Sequence, residues 1–263
     1  MKPNRVRQMW EAGEAVVNGW CAIPSGFVAE RMAHMGWDSL VIDTQHGLID
    51  YQAMVDMLTA ISTTAVTPMV RVPWNDPAAI MKALDAGAYG IICPMITDAE
   101  AAARFVGACR YAPQGYRSSG PIRAELYGGP DYHARANGTV LALAMIETRE
   151  ALGNLDAILA TPGLDGVYVG PSDLSLTLGL APGQDKTDPS LLDAFAHILA
   201  GCARHGVKAG VHAGSTGYAR RMLSMGFNLV SPGGDTVFLD MAGKQAVAEM
   251  RAGKVGDPSV FVV

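Results

Sequence analysis

Short runs of β-branched and other apolar residues recur along the chain. Each is followed by a loop rich in Gly, Pro, Asp or Asn, and then by a stretch whose apolar residues return with helical spacing. This alternation is the signature of repeated β-α units and a parallel sheet. It predicts eight strands, at 15–22, 39–43, 67–72, 90–94, 140–147, 166–170, 208–212 and 228–231. Helix starts are marked by Asn75-Asp76-Pro77 and Thr97-Asp98, where a polar cap precedes a proline or an alanine-rich run. Helix ends are marked by Gly87, Gly206 and Gly226, since a left-handed terminus favours glycine.

Eight such units fit a closed α/β barrel, a (β/α)8 TIM barrel, and the 263 residues match that fold as one domain, 1–263, ending in a helix and a short apolar tail at 254–263. An open doubly wound sheet would show the same alternation, but no Gly-x-Gly-x-x-Gly follows the first strand. The irregular stretch 111–137 exceeds ordinary loop length and is expected to be functional, with a part in selecting the second substrate.

Composition narrows the class. Hydrophobic residues at 49% and charged residues at 17% provide for a packed core. A net charge of -5 leaves no basic field for nucleic acid or anionic membrane surfaces. Four widely spaced cysteines read as buried thiols in a reducing cytoplasm, and neither a signal peptide nor a membrane span is expected.

Active sites of such barrels are assembled from strand C-termini, so polar residues that end apolar runs are the candidates. Glu147 closes one run and Asp173 follows the next strand, in the turn Gly170-Pro171-Ser172-Asp173. Two carboxylates aimed into one mouth call for a compensating cation, and a hard divalent ion such as Mg2+ or Mn2+ suits them. The alternative is that each caps the next helix. Asp43 and His46 are spaced for a carboxylate to orient an imidazole base. Arg71 ends the third strand, where it would neutralise an anionic substrate or, alternatively, pair with a barrel carboxylate. The backbone N–H groups of Ser172 and Asp173 would receive a carboxylate at a helix start. Arg117 and Arg123 in the long stretch, His212, and the Gly233-Gly234-Asp235 turn are weaker candidates, the last two at a place where barrels hold anions. No lysine ends these strands, which argues against a Schiff-base mechanism.

Four segments, 37–46, 70–76, 146–150 and 166–175, resemble in order the HpcH/HpaI aldolase family of class II, metal-dependent 2-oxo-acid aldolases, on a barrel of the phosphoenolpyruvate/pyruvate-binding type. The best-known members cleave 4-hydroxy-2-oxoheptanedioate, and relatives act on 2-keto-3-deoxy sugar acids. The resemblance implies a divalent metal (Mg2+, Mn2+ or Co2+) on Glu147 and Asp173, and a pyruvate or hydroxypyruvate donor with an aldehyde acceptor. It also implies proton transfer at His46 with Asp43, and an enolate oxygen held by Arg71. Gly170, Pro171, Ser172 and Asp173 would contact the donor, Asp85 would reach a neighbouring subunit's site, and the assembly would be a hexamer with a terminal helix exchanged between partners. Gln45 departs from the pattern, because many relatives carry an acidic residue there; as a substrate-binding position it would retune metal affinity or donor choice. Two other readings remain: a lyase of acyl-coenzyme A esters, whose adenine surface would need a basic cluster, and a non-catalytic metal or sugar-acid binding barrel.

Overall fold

The computed structural model describes residues 1–252. Eight parallel strands close into a barrel in sequence order: β1 (Val16–Cys21), β2 (Ser39–Asp43), β3 (Thr67–Arg71), β4 (Gly90–Cys93), β5 (Leu141–Ile146), β6 (Gly166–Val169), β7 (Lys208–His212) and β8 (Leu229–Ser231), with β8 pairing back onto β1. The open doubly wound sheet is thereby excluded. Every expected strand is present, trimmed by at most one residue at an end.

Helices α1 (Arg5–Glu11), α2 (Gly26–Ala33), α3 (Tyr51–Ile61), α4 (Pro77–Asp85) and α5 (Ala99–Cys109) accompany the first half. Asp76 and Asp98 cap α4 and α5, each side chain accepting a backbone N–H from the first turn, as their spacing predicts. The stretch expected to be irregular instead folds into α6 (Ile122–Gly128) and α7 (Tyr132–Thr139). The second half carries α8 (Arg149–Gly153), α9 (Leu155–Leu159), α10 (Pro171–Thr177), α11 (Pro189–His205), α12 (Thr216–Met225) and α13 (Asp235–Arg251). Gly206 and Gly226 end α11 and α12 in the left-handed conformation.

Strand periodicity divides the core in two. Val16, Val41, Met69, Ile92, Leu141, Leu143 and Leu229 fill the barrel interior, and Val6 and Trp10 of α1 join them as a plug at the N-terminal end. The intervening residues, such as Leu40, Ile42, Val70 and Ile91, face the helices. Among these apolar residues the interior also holds a buried polar group: Ser39 Oγ donates to Asn18 Oδ1 at 2.7 Å, and Asn18 Nδ2 donates to Ser231 Oγ at 2.8 Å.

α13 does not pack in this way. Among its residues only Asp235 is buried, while Leu239, Met241, Val247 and Met250 are exposed. The apolar tail at 254–263 lies outside the described residues. No described helix is long and apolar enough to cross a membrane, and the four cysteines are buried and unpaired.

Candidate active site

Continuing the inward register by two residues carries each strand to its mouth: Val41 leads to Asp43, Met69 to Arg71, Met145 to Glu147, Tyr168 to Gly170, and Gly210 to His212. The barrel therefore aims these positions at one point. They border a cavity of about 360 Å3 together with Trp20, His46, Pro171, Ser172, Asp173 and Gln184.

Asp43 and Arg71 face each other across the β2–β3 register. Arg71 Nε donates to Asp43 Oδ1 at 2.9 Å and Nη2 to Oδ2 at 2.5 Å, while Trp20 Nε1 donates to Oδ2 at 3.2 Å. Burial works to raise the Asp43 pKa, but the Arg71 guanidinium, the indole and the His46 N–H outweigh it and hold the carboxyl below its ordinary range. The expected Asp43–imidazole contact is not made. Asp43 Oδ1 instead accepts the backbone N–H groups of Gln45 and His46, at 3.1 and 3.2 Å. Two guanidinium N–H groups occupy the carboxylate, so it fixes the path of the loop rather than the ring. Arg71 thus pairs with a barrel carboxylate, and its side chain also borders the cavity.

Glu147 is buried at 3% exposure, and its Oε1 accepts the Met95 N–H at 2.8 Å. Met95 adopts a left-handed conformation, φ 56°, which for a residue with a Cβ costs on the order of 1 kcal/mol. That conformation turns its N–H toward the carboxylate. Burial above all, and then the Asp173 charge, pushes the Glu147 pKa up to about 7; the Met95 N–H and Arg71 oppose them. Glu147 Oε2 lies over Gly170, where an added Cβ would meet it at 2.5 Å. The helix-capping alternative for these carboxylates fails: Thr148 caps α8 with its own hydroxyl, and α10 has no side-chain cap.

Two acidic side chains with a raised pKa on the buried one form a donor set suited to a hard divalent cation. Among the described residues no group of three or more His, Cys, Asp or Glu side chains gathers to hold a metal. Glu147 and Asp173 would thus supply two positions, leaving the others to water and substrate oxygens.

Two predicted residues stand away from this cavity. Asp85 ends α4, just before β4 begins, and so lies at the opposite end of the barrel, where it accepts Arg117 Nη2 at 2.7 Å. Within one chain it touches nothing in the cavity. Gln45 does not border the cavity either; its Oε1 is buried without a partner. The loop arginines prove structural: Arg117 is buried against Tyr111 and Tyr132, and Arg123 donates to the Ala86 carbonyl, Thr59 and Ser62. The whole 111–137 stretch joins α5 to β5 and hence lies at that same far end. The Asp235 carboxylate accepts the Ala22 and Ile23 N–H groups, so the turn after β8 is closed by its own anion rather than open to another.

Trp20, Tyr168 and Gln184 border the cavity without having been singled out in the sequence. Trp20 and Tyr168 sit inside apolar runs, where an aromatic reads as core; only the inward register reveals them. His212, a weak candidate, stands in the wall with its ring edge-on to Trp20 at 5.1 Å.

The profile of the HpcH/HpaI aldolase/citrate lyase family matches residues 20–240. The chain is 44% identical over 249 residues to a protein of Rhizorhabdus wittichii named hydroxypyruvate/pyruvate aldolase, covering 95% of this chain and 99% of that one. It is 36% identical to 5-keto-4-deoxy-D-glucarate aldolase of Salmonella paratyphi C, covering 89% and 91% of the two chains. Among solved structures, an HpcH/HpaI aldolase/citrate lyase family protein from Burkholderia cenocepacia superposes with a TM-score of 0.88 at 33% identity, over 94% of this chain and 99% of that one.

Proposed function

The chain belongs to the HpcH/HpaI aldolase/citrate lyase family, and on that premise we propose that it is a metal-dependent carbon–carbon lyase that joins pyruvate or hydroxypyruvate to an aldehyde and reverses the addition. The observation that carries this reading is the meeting of Glu147, Asp173, Arg71 and His46 at one barrel mouth whose wall, among the described residues, holds no lysine. An activated amine for a Schiff base is not at hand, so the enolate must be stabilised by charge.

Glu147 and Asp173 would hold a divalent ion, Mg2+, Mn2+ or Co2+, which would supply Lewis-acid stabilisation of the enolate. The donor carboxylate docks at the Gly170-Pro171-Ser172-Asp173 turn and accepts the Ser172 and Asp173 N–H groups. Arg71, pinned by Asp43, keeps a fixed guanidinium beside the oxygen that becomes the enolate. Such preorganised contacts are worth on the order of a few kcal/mol each. His46 moves the proton through a water: in addition it takes one from the donor C3, and the new C4 alkoxide is protonated once the bond has formed. In cleavage the C4 hydroxyl loses its proton and the C3–C4 bond breaks, leaving the electron pair in the enolate.

The exposed apolar side chains of α13 support an oligomer in which this helix packs on a neighbouring copy, in line with the expected hexamer. In that assembly Asp85 would be offered to a neighbour's mouth. Four buried thiols, all pushed up in pKa by burial, fit a cytoplasmic protein.

Exchange at the donor carbon tests the reading without knowledge of the aldehyde. Pyruvate incubated with the protein in D2O should take deuterium into its methyl group when Mg2+ or Mn2+ is present and not after the metal is stripped. Absence of exchange with every metal would overturn enolate chemistry at this site.

A further inference from the structure

We infer that His212 is a further catalytic residue: its Nε2–H donates a hydrogen bond to the aldehyde oxygen as that oxygen becomes the C4 alkoxide. This rests on the aldolase reading, and it gives a partner to the one reacting atom that the residues already named leave without a fixed donor.

The tautomer follows from the protons available along a buried chain. Ser39 Oγ donates to Asn18 Oδ1 at 2.7 Å, which orients the amide, and Asn18 Nδ2 donates to Ser231 Oγ at 2.8 Å. Ser231 still has its own proton to give, and its remaining partner among the described residues is the Tyr168 hydroxyl, 2.8 Å away. Receiving that proton frees the phenol's own for His212 Nδ1, at 3.1 Å. Nδ1 is therefore the acceptor, and the imidazole hydrogen sits on Nε2. With the Asn18 amide reversed, Ser39 would face an N–H, and its hydroxyl hydrogen would have no acceptor among the described residues. Burial foremost, then the Arg71 charge, pushes the His212 pKa down to about 4, so the ring is neutral and carries this single N–H at ordinary pH.

Position decides what that N–H meets. Strands β3 and β7 stand four apart in the closed ring of eight, so Arg71 and His212 face each other across the mouth. Trp20 of β1 lies beside both, its ring centroid 5.0 Å from Arg71 Cζ and 5.1 Å from the imidazole. His212 is partly exposed, its ring borders the cavity, and Nε2 has no partner among the described residues. In the proposed reaction the donor carboxylate sits at the α10 turn and the enolate oxygen beside Arg71, which takes up the β3, β5 and β6 sides and leaves the β7 side for the aldehyde. There the Trp20 N–H is spent on Asp43 and Gln184 is an exposed loop residue, so the imidazole is the donor held in place before the substrate arrives. As the C3 electron pair closes the C3–C4 bond, the carbonyl π pair moves onto oxygen and its hydrogen bond with Nε2–H strengthens. His212 keeps its hydrogen, and the alkoxide takes its proton from the water at His46. A neutral imidazole kept from protonation can polarise a carbonyl in this way.

An oxygen of the 2-oxo acid is the other recipient the same N–H could serve, and the two are separated by the step they affect: enolate formation needs no aldehyde, and bond formation does. Deuterium uptake into pyruvate in D2O reads the first step and adduct formation from pyruvate and glyceraldehyde the second, both with Mg2+. In His212→Leu we expect kcat for addition to fall on the order of a hundredfold relative to exchange, with little change in the aldehyde KM, because the bond strengthens only as charge develops. His212→Gln, whose amide N–H can donate, should recover part of the loss, and Tyr168→Phe, which frees the tautomer, should show an intermediate one. Exchange that falls in step with addition would place the N–H on the 2-oxo acid and overturn the assignment, as would an addition-to-exchange ratio unchanged in His212→Leu. Nitrogen NMR of 15N-histidine-labelled wild type, with the His212 signals assigned by their absence from His212→Gln, reads the tautomer without turnover. Hydrogen on Nε2 is expected, and hydrogen on Nδ1 contradicts the account even if His212→Leu fails to fold. Wild type that exchanges no deuterium with any divalent metal would sink the aldolase reading itself, an outcome separate from an unchanged ratio.

Discussion

Asp43 and Arg71 form a two-point ion pair across adjacent barrel strands, with Nε–Oδ1 at 2.9 Å and Nη2–Oδ2 at 2.5 Å. The same carboxylate accepts the Trp20 indole and the N–H groups that start the His46 loop, so one acid sets the positions of a cation, an aromatic wall and a base. Replacing Asp43 with Ala removes all of these at once. The buried guanidinium left behind should cost about 3 kcal/mol or more of stability, read as a lower urea midpoint. Arg71→Lys keeps the charge but loses the fork, and its kcat/KM should drop on the order of a hundredfold. Wild-type kinetics in Arg71→Lys would count against a role at the enolate oxygen.

Gly170, the residue between β6 and α10, lies against the Glu147 carboxylate. A Cβ there would stand 2.5 Å from Glu147 Oε2 and 3.0 Å from Met145 Cε, and neither the carboxylate nor the packed methionine can move freely. Gly170→Ala should therefore weaken divalent metal binding by about tenfold or more while the far end of the barrel stays folded. Calorimetric titration with Mn2+ checks this, and unchanged affinity would show that Glu147 does not hold the ion.

The Glu147 pKa, raised to about 7 chiefly by burial, gives the metal affinity a pH dependence with a definite sign. Proton and cation compete for the same oxygens. As pH falls through about 7 the carboxyl is protonated and affinity should decline about tenfold per unit; above that value it should level off. In metal-free protein the linkage runs the other way. A folded pKa above the unfolded value near 4.5 means that stability is highest below 4.5 and is lost as pH rises through about 7. Affinity that is flat across this window would contradict both.

The exposed apolar side chains of α13 predict that the protein is not a monomer in solution. Leu239→Glu combined with Met250→Glu, at positions 66% and 78% exposed, should shift the mass measured by light scattering to a smaller species. A wild type that is monomeric at micromolar concentration would remove the need for a partner on this helix.

The strands were legible because most of their inward and outward residues are apolar and, on three of them, a charge ends the run at the mouth; Asp43, Arg71 and Glu147 announce themselves in this way. Caps at Asp76 and Asp98 were legible for the same local reason. Contacts between distant segments were not. Nothing local says that Asp43 will spend its oxygens on Arg71 rather than on the His46 ring, or that Asp235 will fold back onto β1. The Gly128-Gly129-Pro130 break reads as loop, yet it separates two short helices. α1, whose Trp10 and Val6 close the barrel floor, carries no strong helical stripe of its own and gains its place from packing.

The most direct measurement is adduct formation by metal-stripped protein given hydroxypyruvate or pyruvate with a small aldehyde, with and without Mg2+, Mn2+ or Co2+, in wild type and Glu147→Ala. The account predicts a 4-hydroxy-2-oxo acid that appears only with metal and is nearly abolished by the substitution. Adduct formed equally well without metal, or undiminished in Glu147→Ala, would contradict it.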